Sequence, residues 1–129
     1  MTYDPDLYDV VTPASLQGDV DWYCRKAQDS GGPVLELGAG TGRVTLAVAR
    51  AGVPIYALDA SDEMLAALER KRQACAQDVR GNIRVIRGDM RSFDLPERFA
   101  LIIAPFRGFL HNVTEEDRLA CLALSLIHI

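Results

Sequence analysis

The chain has 129 residues, 49% of them apolar and 25% charged, which is the balance of one globular domain with one core and not of a disordered or low-complexity segment. Its net charge of −4, from 14 basic and 18 acidic side chains, opposes a phosphate backbone and argues against a nucleic-acid partner. No run approaches the ~18 apolar residues of a membrane span, so no membrane partner is expected.

The N-terminus, from Met1 to Asp6, is polar and acidic and lacks the apolar core of a secretory signal. Cys24, Cys75 and Cys121 stand far apart without metal-ligand spacing, which predicts small buried hydrophobes in a reducing cytoplasm. With His111 and His128 as the histidines, no zinc cluster is expected.

In chain order, Leu16, Val20, Tyr23, Cys24 and Ala27 recur at helical spacing and predict a helix over Ser15 to Ala27. Trp22 and Tyr23 on it are expected to pack, or to roof a substrate pocket. Val34 to Leu37 reads as a short buried strand that runs into the glycine turn Gly38-Ala39-Gly40-Thr41-Gly42. Arg43 to Ala51 reads as a helix stopped by Gly52. Val53 to Asp59 is a second strand, with Pro54 at its outer end where a lost donor matters least. Ser61 is an N-cap, with Asp62 and Glu63 in the first turn of a helix that runs to about Gln77. Gly81-Asn82 reads as a turn, Ile83 to Arg87 as a third strand, Gly88 to Pro96 as a loop and Phe99 to Ala104 as a fourth strand. Thr114 is expected to cap a last helix. Arg80, Arg84, Arg87 and Arg91 alternate with apolar residues and are read as a solvated face.

Near-continuous apolar strands joined by helices predict an α/β fold, a parallel sheet with helices on both faces. Ligands of such sheets bind beyond the carboxyl ends of the strands, where the strand order switches. Acids stand at those ends: Glu36, Asp59 and Asp89. The dinucleotide fingerprint Gly-x-Gly-x-x-Gly fails, because position 43 is arginine and the third glycine comes early. A carboxylate at Glu36 would repel a pyrophosphate and suit an ammonium group. Asp59 can accept from two ribose hydroxyls, Asp89 from an exocyclic amine, the Met90 N–H can donate to a ring nitrogen, and Met64 can pack on a purine. Asp59 and Asp89 can also serve as helix or turn caps, and Met64 as core. Adenine, ribose and an amino-acid tail together describe S-adenosylmethionine.

At these residues a resemblance opens. Glu36-Leu37-Gly38-Ala39-Gly40-Thr41-Gly42-Arg43 resembles motif I of the class I (Rossmann-like) methyltransferases. Leu58 to Leu65 resembles their second motif, Arg87 to Arg91 the third, and Phe99 to His111 the fourth motif of a small-molecule-type methyltransferase-domain family, which Leu7-Tyr8-Asp9 also fits. The resemblance implies S-adenosyl-L-methionine as cofactor. Glu36 would hold the methionine amino group, directly or through water, and Gly38, Ala39 and Gly40 would face methionine and ribose. Asp59 would bind ribose, with Ala60 and Met64 flanking adenine. Asp89 and Met90 would read the adenine edge. Ala104 would sit near the sulfonium, and Tyr8 would close over the methionine end.

The implied reaction is methyl transfer to O, N or C of a small-molecule acceptor. A non-catalytic S-adenosylmethionine-binding domain is the alternative, and an NAD-dependent oxidoreductase is disfavoured by Glu36 and Arg43. No catalytic base is evident. His111 is the one candidate for proton transfer, and a packed histidine is the competing reading. Ala104-Pro105-Phe106-Arg107 is not the Asn/Asp-Pro-Pro-Tyr/Phe that grips a planar amide or nucleobase nitrogen.

The family's sheet has seven strands and this sequence supplies the first four, so residues 1 to 123 are expected to form the N-terminal part of such a domain, inactive in isolation. The tail Leu124-Ser125-Leu126-Ile127-His128-Ile129 can be encoded by ctg-tct-ctt-ata-cac-atc, the start of a common transposase sequencing adapter. It is therefore expected to be non-native, and His128 to carry no function.

Overall fold

The computed structural model describes residues 17–104 and 115–129. Tyr8, Arg107, His111, Thr114 and the start of the first predicted helix lie outside the described residues. The elements are α1 (Gln17–Ser30), β1 (Val34–Leu37), α2 (Arg43–Arg50), β2 (Ile55–Asp59), α3 (Asp62–Gln73), α4 (Gln77–Gly81), β3 (Ile83–Arg87), β4 (Leu101–Ile103) and α5 (Glu115–Ile127).

The strands form one parallel sheet in the order β3-β2-β1-β4. Successive steps from β1 to β3 move one way across the sheet, and β4 then pairs on the other side of β1. The switch in strand order therefore falls between β1 and β4. In register, Glu36 lies between Ala57 of β2 and Ile103 of β4.

The period of two along β1 decides what each face buries. Val34 joins Val20 and Ala27 of α1, Val44 and Val48 of α2, and Ile55 and Ile83 of the neighbouring strands in one core cluster. Leu35 and Leu37 point the other way, onto Leu58, Phe93 and Phe99. Right-handed crossovers that all step in one direction place their helices on one face, and α2 and α3, the two crossover helices, both pack on the Val34 side, where α1 joins them. The loop from Gly88 to Ala100 closes the second face, together with Leu124 of α5.

The first helix runs on to Ser30, past the predicted Ala27, and three further elements differ from the sequence reading for a backbone reason. The fourth strand is Leu101–Ile103 and not Phe99 to Ala104. The Phe99 N–H donates to the His128 carbonyl and the Ala100 N–H to the Pro33 carbonyl, so neither joins the ladder. The third predicted helix ends at Gln73, and a short helix, α4, occupies Gln77–Gly81 where a turn is predicted at its end. Arg72 Nε donates to the Ile83 carbonyl at 3.0 Å and fastens the end of α3 to the start of β3, and extended Ala76 (ψ 154°) breaks the helix. The second strand starts at Ile55, although the Pro54 carbonyl still accepts from the Val34 N–H at 2.9 Å.

Cys24 and Cys75 are half-buried and not core residues: Cys24 packs at the margin of the α1 side, and the Cys75 thiol donates to the Lys71 carbonyl. Arg84 and Arg87 project from β3 to solvent, with Arg87 paired to Asp62, whereas Arg80 closes α4 and Arg91 turns to Asp89. The segment from Leu124 to Ile129 continues α5 as far as Ile127. His128 is buried, its Nε2 accepting from the Leu95 N–H at 2.9 Å and its Nδ1 standing 2.8 Å from the Leu124 carbonyl. No described helix is long and apolar enough to cross a membrane.

Candidate functional site

The site is built where β1 stops. Its last residues are fully buried, and the chain must reverse at once into α2 in a space too tight for ordinary backbone angles. Gly38 (φ 70°), Gly40 (φ 61°) and Gly42 (φ 94°) supply that reversal. The turn is not loose. The N–H groups of Gly38 and Ala39 both donate to the Leu58 carbonyl, at 2.8 and 3.0 Å, and that of Gly42 to the Ala39 carbonyl.

Two of the glycines do different work. A Cβ on Gly42 would stand 2.2 Å from Leu68 Cδ1 of α3, so this glycine permits the close approach of α3. A Cβ on Gly40 would meet nothing within 4 Å, so that side of the turn is open. The third glycine, early for a dinucleotide fingerprint, thus serves helix packing, while the second borders the free space. Gly42 is also the N-cap of α2, which has no side-chain cap and no acid in its first turn.

Asp59 ties the turn to β2. Its Oδ2 accepts from the Gly40 N–H at 2.8 Å and its Oδ1 from the Ser61 N–H at 2.8 Å. Ser61 in turn caps α3, its Oγ accepting from the Met64 N–H at 3.2 Å. One carboxylate therefore fixes both the glycine turn and the entry to the next helix. The Gly88 N–H donates to the Asp59 carbonyl at 3.0 Å and draws the end of β3 to the same place.

Glu36 lies one layer deeper. It is 1% exposed, on the face of β1 that looks toward α2, and its Oε1 accepts from the Thr45 hydroxyl at 2.5 Å. Burial pushes its carboxyl up to about 8, against the Thr45 hydrogen bond and the nearby Arg43, which favour the charged form; Asp59 adds a smaller upward push. Asp89 has the opposite character. Its carboxylate is clasped by Arg91, which donates through its backbone N–H, Nε and Nη2, and these contacts hold it below the usual carboxylate range against partial desolvation.

Those sequence-predicted residues that are described lie at or near the strand ends, and Tyr8 and His111 lie outside the described residues. Glu36, Gly38, Ala39, Gly40 and Asp59 form one connected unit. Ala60 is exposed after β2, Met64 is buried in the first turn of α3, and Asp89 and Met90 follow β3. Ala104 follows β4, beside the end of β1. The sequence reading missed Thr45, the Gly40 N–H on Asp59 and the Arg91 side chain, whereas the Ser61 N–H on Asp59 and the Arg91 N–H on Asp89 are turn contacts of the kind it gave as the competing reading. The signal for Thr45 was present: a hydroxyl among Val44, Leu46 and Val48 on a helix facing a buried acid. Among the described residues no three His, Cys, Asp or Glu side chains are grouped to share a metal ion.

Fold and site together define a parallel α/β domain with a glycine turn and three acids, Glu36, Asp59 and Asp89, at its strand ends. Residues 34–125 match the family model of the methyltransferase domain, and the chain belongs to that family. It is similar to the cypemycin N-terminal methyltransferase of a Streptomyces species, 29% identical over 119 residues that cover 91% of this chain and 46% of the relative. Among solved structures it resembles the glycopeptide N-methyltransferase MtfA complexed with S-adenosyl-L-methionine, at 31% identity and a TM-score of 0.79, over 86% of this chain and 48% of that one. The methyltransferase CcbJ of Streptomyces caelestis, 23% identical with a TM-score of 0.78 over 92% of this chain and 49% of that one, shares the fold. The chain spans about half the length of the relatives it matches.

Proposed function

We propose that this chain is the cofactor-binding part of an S-adenosylmethionine-dependent methyltransferase acting on a small-molecule acceptor. The observation that carries the reading is the connected unit of Glu36, the glycine turn and Asp59. The residues fit the cofactor: Gly40 leaves open space beside the turn, and Glu36 is a buried acid with one hydroxyl partner. Asp59 spends one acceptor site of each oxygen on the backbone and keeps further lone pairs for two hydroxyls.

In this reading Glu36 holds the methionine ammonium, Gly38, Ala39 and Gly40 bound the methionine and ribose, and Asp59 accepts from the ribose. Ala60 and Met64 flank the adenine, whose edge Asp89 and Met90 read. Ala104 stands near the sulfonium. Tyr8, with a role at the methionine end, and His111, the candidate for proton transfer, complete the assignment. S-adenosylmethionine supplies an activated sulfonium methyl, so the protein's task is to align it with the acceptor. Of the two relatives above with about 30% identity, one is named a glycopeptide N-methyltransferase and the other an N-terminal methyltransferase, which makes amines the first acceptors to test.

Calorimetry with S-adenosylmethionine, S-adenosylhomocysteine and NAD tests the cofactor. Binding of the first two without NAD supports the reading, and binding of NAD alone overturns it. Formation of S-adenosylhomocysteine with a panel of amines, alcohols and carbon acids tests turnover and the attacked atom.

A further inference from the structure

We propose that Thr45 is a positioning residue: its hydroxyl holds the Glu36 carboxylate in the orientation that receives the cofactor's ammonium group. The inference deepens the cofactor reading and rests on it. Thr45 is completely buried on α2, on the face that packs against β1. Apolar packing there would be served as well by valine, which has the same shape. A β-branched residue also gains nothing in a helix over alanine. A helical threonine commonly returns its hydroxyl to the carbonyl one turn back. This one reaches out of the helix to Glu36 Oε1 at 2.5 Å instead.

The consequence follows from geometry. The terminal torsion of a glutamate is broad and selects no single orientation of the carboxyl plane. A donor fixed on a packed helix selects one. With Oε1 held by Thr45, Oε2 is the oxygen presented to the ligand. The hydroxyl also favours the charged form at a position where burial disfavours it. Thr45 therefore touches no ligand atom and acts through Glu36. The other charged groups that Glu36 feels are Arg43, which favours its ionised form, and Asp59, which opposes it.

The test compares two ligands that share adenine and ribose: S-adenosylhomocysteine, which carries the amino-acid tail, and methylthioadenosine, which lacks it. Calorimetry on the 129-residue chain uses Thr45→Val and Thr45→Ser. Loss of a hydrogen bond to a charged group is expected to weaken S-adenosylhomocysteine about tenfold in Thr45→Val, with methylthioadenosine unchanged within about twofold and Thr45→Ser restoring the first ligand. Equal weakening of both ligands, or a serine variant as weak as the valine variant, overturns the proposal.

A second measurement needs no ligand. Carbon-13 NMR titration of the Glu36 carboxyl is expected to move further upward in Thr45→Val and to stay in place in Thr45→Ser, and an unmoved titration in the valine variant overturns the proposal. A wild-type chain that binds neither ligand overturns the cofactor reading and this one together. A wild-type chain that binds both ligands, with Thr45→Val weakening the two equally, overturns this one alone.

Discussion

Glu36 concentrates the electrostatics of the site in one side chain. In the folded chain its carboxyl is raised from 4.5 to about 8, first by burial. Between those two values the folded state holds a proton that the unfolded chain has released. Unfolding free energy must then fall as pH rises through the window, by up to about 1.4 kcal/mol per unit, and be insensitive to this group below and above it. Urea unfolding across that range is expected to show the decline in the wild-type chain and its loss in Glu36→Gln, which has no proton to release. Cofactor binding has the reverse sign: an ammonium favours the ionised carboxylate, so binding is expected to release a proton and to tighten as pH rises toward about 8. Asp59 carries a load of another kind, two backbone N–H groups on one carboxylate. Replacing it by alanine leaves both without that partner, and an expected loss of about 1–2 kcal/mol in urea unfolding checks this.

At the scale of the elements, the glycine turn separates folding from binding. Both Gly40 and Gly42 have positive φ, yet their surroundings differ. Gly42→Ala forces a methyl into Leu68 and adds left-handed strain, with an expected cost of about 2–4 kcal/mol. Gly40→Ala meets no protein atom within 4 Å, so it carries only the strain of about 1 kcal/mol and intrudes on the space given to the ligand. Thermal unfolding is expected to report mainly the first substitution and cofactor calorimetry mainly the second. The stop of α3 at Gln73 belongs to this scale too. Helical periodicity continues past it in the sequence, but the chain has to return to the start of β3, and Arg72 secures that return on the Ile83 carbonyl.

For the molecule as a whole, the sheet orders its contents by depth. Among the described residues the deepest layer is apolar apart from Glu36, Thr41, Thr45 and His128. The strand ends carry the acids, and the surface of α5 carries Leu119, Leu122 and Leu126, which are 57%, 51% and 75% exposed. At spacings of three and four residues these leucines share one face of the helix, with Ile127 and Ile129 also exposed at its end, and exposed apolar faces of this kind promote association in water. Among the described residues β4 pairs with β1 alone, which adds an apolar strand edge. The 129-residue chain is expected to self-associate at micromolar concentration. Light scattering should show less association in the double variant Leu122→Glu, Leu126→Glu, while circular dichroism keeps the helical signal.

The parallel α/β class was legible in the sequence, because buried strands such as Val34 to Leu37 and helices such as Arg43 to Arg50 differ in period and in their glycine stops. The members of the site were legible as well: Glu36, the glycine turn and Asp59 are marked by local order, strands that end in an acid or in glycines, although the tie between Asp59 and Gly40, 19 residues apart, was not. What local order could not decide was who pairs with whom. The Thr45 hydroxyl and the Glu36 carboxyl are nine residues apart in the chain and meet only because α2 folds back on β1. The division of labour between Gly40 and Gly42 depends on where α3 lies. The length of β4 depends on the Pro33 and His128 carbonyls, which accept from the Ala100 and Phe99 N–H groups. The sequence by itself determined the chemistry available at the strand ends, since residue type and spacing carry it. Only the tertiary structure decided which hydrogen bonds spend that chemistry on the protein and which leave it for a ligand, because burial and distance between remote segments are properties of the packed chain.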